Sequence, residues 1–86
     1  MIDEVKSLPV IRDLLLPGLW MINKNYGTDY ESDIHVDFKL DKLLIKVFRF
    51  STKKLAIGEI TRHDVENDLY KSMFAPKVKR LFDDLG

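Results

Sequence analysis

The chain has 86 residues, with 14 basic and 14 acidic side chains, 45% hydrophobic content and no cysteine. The missing cysteines exclude a disulfide framework and a thiolate zinc site, and the balanced charge removes the general electrostatic case for nucleic acid or an anionic membrane. A single domain spanning 1–86 is expected, burying about 60–65% of the surface its unfolded chain exposes.

Asp3 and Glu4 precede any apolar run, so no secretory leader is read. The longest apolar run, Leu14 to Ile22, is nine residues and contains Pro17 and Gly18. That is about half of the ~20 residues a membrane helix needs. A soluble, cytoplasmic chain without a membrane partner is expected.

After a polar lead-in over residues 1–6, Ser7 has the character of an N-cap, with Pro9 in the first turn. Val10, Ile11, Leu14, Leu15, Leu19, Ile22 and Tyr26 recur at helical spacing. Gly27 supplies a natural stop. Pro17 predicts a kink, or two short helices meeting there. Trp20 and Met21 fall beside the stripe, at the edge of the core.

The stretch Asp29 to Asp41 alternates instead. Ile34, Val36, Phe38 and Leu40 share one side, and Asp33, His35, Asp37 and Lys39 the other. That is a strand with one oily and one charged face. Leu43 to Phe50 and Leu55 to Ile60 are two further β-rich runs, separated by polar breaks at Asp41-Lys42 and Ser51 to Lys54. Pairing Leu40 with Leu43 and Phe50 with Leu55 sets Lys46 opposite both Asp37 and Glu59. In this register the core face holds Ile34, Val36, Phe38, Leu40, Leu43, Ile45, Val47, Ala56, Gly58 and Ile60, where the small Ala56 and Gly58 leave room for a helix. The second face holds Asp33, His35, Asp37, Lys39, Leu44, Lys46, Phe48, Phe50, Leu55, Ile57 and Glu59.

Thr61-x-x-Asp64 reads as a capping box opening a helix with Val65, Leu69, Tyr70, Met73 and Phe74 inward. Ala75-Pro76 breaks it. A short last helix then turns Val78, Leu81, Phe82 and Leu85 inward and Lys77, Lys79 and Arg80 outward. The predicted fold is α+β: a three-stranded antiparallel β-meander with helices packed on one face, in the order α-β-β-β-α-α. A competing arrangement lays the final helix across the second face.

Few groupings point to chemistry. The strip Asp29, Glu31, Asp33, His35, Asp37 reads first as the solvated side of a strand and its leading loop. It reads second as a surface for a basic partner or a divalent cation, although neighbouring carboxylates about 6–7 Å apart do not readily share one ion. Asp37-x-Lys39 resembles the acid-x-lysine signature of a large nuclease superfamily, whose acid and lysine, side by side on a strand, bind metal and position the attacking water. That resemblance covers three residues, and the family's further aspartate on a preceding strand has no counterpart here. Ser51-Thr52-Lys53-Lys54-Leu55-Ala56 resembles the lysine pair of double-stranded-RNA-binding domains, whose element order is also helix, three strands, helix. In that family the lysines open the second helix, whereas here they open a strand. His35 and His63 are far apart, with no Ser or Lys placed beside either as a nucleophile. No catalytic residue, metal ligand or cofactor is assigned.

The expected function is therefore a small non-enzymatic protein-binding module: an inhibitor, an adaptor or a minor subunit of a larger assembly, of the kind carried by phages and mobile elements. Its partner is another protein or a second copy. The expected contact residues are Phe48, Phe50, Leu55 and Ile57, with Asp33, Asp37, Lys46 and Glu59 around them. The alternative is nucleic-acid binding through Lys42, Arg49, Lys53, Lys54, Lys77, Lys79 and Arg80.

Overall fold

The structure, a computed structural model, describes residues 7–86; the polar lead-in read over residues 1–6 lies outside them. Helix α1 spans Leu8–Tyr26, and strands β1 (Tyr30–Asp37), β2 (Lys42–Arg49) and β3 (Lys54–Thr61) follow. Helices α2 (Arg62–Glu66) and α3 (Tyr70–Leu85) close the chain. The strands form one antiparallel sheet in the order β1-β2-β3. The fold is α+β with the order α-β-β-β-α-α, as the sequence predicts.

Ser7 caps α1 by accepting the Val10 N–H, and Pro9 sits in the first turn. Gly27 ends the helix at φ 109°, a backbone state that costs glycine little, and donates to the Asn23 carbonyl. Pro17 does not divide the helix, which runs unbroken through it. Asp13, Pro17 and Gly18 are exposed, so the carbonyl that Pro17 leaves unbonded faces water. Leu16 before it and Leu19 after it are both buried, which pins the two halves to one sheet. The buried stripe of α1 is Leu8, Ile11, Leu16 and Leu19, with Leu15, Ile22 and Tyr26 packed beside it. Leu14, expected in that stripe, is 64% exposed.

The sheet keeps its predicted faces but not its predicted register. Ile34, not Phe38, pairs with Ile45, a slip of four residues; Leu55, not Ile57, pairs with Phe48, a slip of two. Even slips leave every side chain that stays within a strand on its own face. The cause lies in the turns. A two-residue Asp41-Lys42 hairpin would need a primed turn, whose preferred residues are Asn-Gly, Asp-Gly or a leading glycine rather than Asp-Lys. The chain instead turns over Phe38 to Asp41, with only Asp41 at positive φ, and Asp37 Oδ1 accepts the Leu40 N–H at 3.0 Å. Phe38 and Leu40 therefore leave the core face and stand exposed.

Both long helices lie on the core face. Ile34, Leu43, Ile45, Val47 and Ile60 are fully buried there, together with Val65, Val78 and Phe82. Gly58 makes room for α3: a Cβ there would stand 3.1 Å from Leu81 Cδ1. Tyr26 of α1 stacks on Phe82 of α3, ring centroids 4.6 Å apart, and Tyr30 closes the aromatic group. The competing arrangement, with the last helix across the second face, does not occur.

The capping box at Thr61 and Asp64 forms as predicted. The helix break does not fall at Pro76, which lies inside α3. It falls at Asn67 to Leu69, where Asp68 adopts φ 57°, its N–H bonds the Val65 carbonyl and the Leu69 N–H bonds the Asp64 carbonyl. That pair of bonds is a Schellman motif, with an aspartate in the left-handed position usually held by glycine.

Candidate protein-binding surface

With all helices on one side, the second face of the sheet has no cover among the described residues. The register arranges it in rows. Glu31, Phe48 and Leu55 form one row, Asp33, Lys46 and Ile57 the next, and His35, Leu44 and Glu59 the third. Acids therefore line the β1 side and apolar groups the β2–β3 side. Leu55 and Ile57 are 53% and 51% exposed, and Phe50 is exposed at the end of the same patch. The Phe48 and Phe50 rings meet edge to face with centroids 5.4 Å apart, which fixes two rotamers before anything binds.

The polar rim differs from the prediction in one respect. Lys46 does not lie between Asp37 and Glu59; its ladder partners are Asp33 and Ile57. Lys42 takes that role, paired in the ladder with Asp37 and bonded through Nζ to Glu59 Oε2 at 2.8 Å. The four-residue slip sets Lys42 opposite Asp37, and its side chain reaches Glu59 diagonally, because its ladder partner on β3 is Thr61. Lys46 makes no ion pair among the described residues.

The surface also extends beyond the sheet, onto α1. An open groove of about 640 Å³ runs from Leu55 and Phe48, past Asp33 and Glu31, to Leu16 and Trp20 on α1. Arg12 borders it, with its guanidinium 3.7 Å from Asp33. The one signal in the sequence was the position of Trp20 outside the helix stripe. Met21, Leu14 and Val10 form a separate exposed row on the outer side of α1.

The basic residues of the alternative reading do not converge on one site. Arg49 is held by Asp29 and by the Leu85 carbonyl and lies over the Tyr30 ring; Lys42 is held by Glu59. Lys53 sits in the β2–β3 turn, Lys54 opens β3, and Lys77, Lys79 and Arg80 lie on α3. Lys39 is in the β1–β2 turn rather than beside Asp37 on a strand, so the acid-x-lysine resemblance loses its geometry. No group of three or more metal-ligating side chains occurs among the described residues, and no helix among them is long and apolar enough to cross a membrane.

Comparison with protein-family models, with curated protein sequences and with solved structures finds no match to this chain.

Proposed function

We propose that this protein is a cytoplasmic, non-enzymatic protein-binding module whose open sheet face docks a partner. It acts as an inhibitor, an adaptor or a minor subunit, and a phage or mobile-element origin fits that role. The observation that carries the reading is the patch of exposed Phe50, Leu55 and Ile57 with half-buried Phe48 between them, left without cover among the described residues and bordered by Asp33, Asp37, Lys42, Lys46 and Glu59. An apolar centre inside a charged rim is the anatomy of a protein interface, and a contiguous apolar patch is costly to leave in water. The groove to Trp20 extends the same surface around the β1 edge.

The test is capture from host lysate with the tagged chain, compared with Phe48→Ser combined with Ile57→Ser. A partner retained by the native chain and lost by the double variant, with the variant's circular dichroism unchanged, is the expected result. A partner retained equally by both places the interface elsewhere.

A further inference from the structure

The two edges of the sheet are treated differently. On β1, two of the residues whose backbone groups turn away from β2, Tyr30 and Ile34, are plugged. The Tyr30 carbonyl accepts from Asn23 Nδ2 at 3.1 Å, the Ile34 carbonyl accepts from Arg12 Nε at 2.6 Å, and the Ile34 N–H donates to Asp33 Oδ1 at 2.8 Å. Side chains from α1 and from the strand itself thus occupy three of the groups that would pair with a foreign strand.

On β3 the same alternation turns Leu55, Ile57, Glu59 and Thr61 outward. Thr61 donates its N–H to Asp64 Oδ2 at 3.0 Å. The N–H and carbonyl groups of Leu55, Ile57 and Glu59 have no partner among the described residues. The β1 edge is blunted at Tyr30 and Ile34, whereas three successive outward residues of β3 carry no such plug.

The side chains along that open edge specify what fits it. On the face bearing the helices stand Lys54 and Lys77, the latter with Cδ 3.5 Å from where a Gly58 Cβ would lie; Lys53 precedes them in the turn. None of the three forms an ion pair with an acid among the described residues. The one acid of β3, Glu59, is already held by Lys42. On the opposite face stand Leu55 and Ile57, half exposed. A second copy of β3 brings the same three lysines and no free acid, so it supplies no counter-charge.

We infer that the β3 edge accepts an extended segment of a partner protein whose residues alternate apolar and acidic. The added strand turns its apolar side chains to Leu55 and Ile57 and its carboxylates to Lys54 and Lys77. Its main chain bonds Leu55, Ile57 and Glu59. This rests on the protein-binding reading and adds the mode of contact and the chemistry of the partner.

The probe is a synthetic peptide of about ten residues alternating valine and glutamate, long enough for one strand. It is compared with a scrambled peptide of the same composition and with one carrying lysine for glutamate. Amide hydrogen exchange followed by NMR reads the site directly. The expected result is new protection at the Leu55, Ile57 and Glu59 amides with the alternating acidic peptide only. Ile57→Pro, which removes one outward N–H and spares the bonds to β2, abolishes that protection. Lys54→Glu with Lys77→Glu weakens binding of the acidic peptide by about tenfold or more and admits the lysine peptide instead; it keeps the inference testable if the proline variant does not fold. Equal binding of the scrambled peptide, absent protection at the three amides, or a dimer in sedimentation that Ile57→Pro dissociates would each overturn the inference. A partner captured through Phe48 without protection of these amides would overturn it and leave the face-docking proposal standing.

Discussion

Asp29 ties three parts of the chain together. Its carboxylate accepts from the Ser51 N–H, the Ser51 hydroxyl and Arg49 Nε, and its carbonyl accepts from the Phe50 N–H. Arg49 passes the connection on, donating to the Leu85 carbonyl at 2.8 Å and lying 5.3 Å over the Tyr30 ring. The bonds from Ser51 and Arg49 hold the Asp29 carboxyl below the ordinary aspartate value of 3.8, and Arg62 does the same for Asp41. Both shifts have the same sign. The charged form is favoured by folding, so the contribution is complete above the unfolded value and is lost as pH falls through the lower folded value. The melting temperature should therefore hold steady from neutral pH to about 5 and then drop as pH is lowered past 3.8. Asp29→Asn should flatten that drop in a pH series of thermal melts. An unchanged acid limb in the variant would show that Asp29 does not couple folding to protonation.

At the scale of the elements, packing decides where sequence rules yield. Pro17 and Pro76 both lie inside helices that the rules would end, because apolar residues on either side dock onto one continuous surface. Pro17 still leaves one helical bond unmade on the exposed side, so Pro17→Ala should raise stability by up to about 3 kcal/mol in denaturant titrations. A fall would mean the proline shapes α1 against the sheet. Leu19→Ala, at a fully buried site, should cost about 2–5 kcal/mol. Leu14→Ala, on the outer side of the same helix, should stay within about 0.5 kcal/mol. The same competition explains what the sequence could reveal. Alternation in Asp29 to Asp41 specified the sheet faces, and Ser7, Gly27 and Thr61 marked the helix ends, since each is a short-range physical effect. Register was not legible, because Asp37 capping Leu40 makes a four-residue turn that strand pattern alone does not demand. The helix break at Asp68 was hidden for a similar reason: an aspartate took the left-handed position where a glycine would have announced it. The groove reaching Trp20 depends on how α1 wraps the β1 edge, a tertiary relation marked in the sequence only by the place of Trp20 outside the helix stripe.

For the whole molecule, the organising fact is that the described residues cover the sheet on one side only. Antiparallel sheets tolerate this when one face is polar. Here the second face is acidic along β1 but apolar along β2 and β3, so its contribution to stability and its contribution to binding should separate. Ile45 and Ile57 test that on residues of one type in adjacent strands. Ile45 is fully buried under the helices, whereas Ile57 is 51% exposed on the open face. Ile45→Ser deletes a buried side chain and strands a hydroxyl in the core, and should cost about 3 kcal/mol or more. Ile57→Ser gives up only the buried half of its side chain, and should cost about 1 kcal/mol. In a domain of this size each kcal/mol lowers the melting temperature by about 4–8 °C, so scanning calorimetry resolves the two. The Ile57 variant should remain folded and lose partner capture, and the Ile45 variant should lose both together. Equal thermal losses in the two variants would mean that the second face is a core surface after all, and the case for a docking site on it would fail.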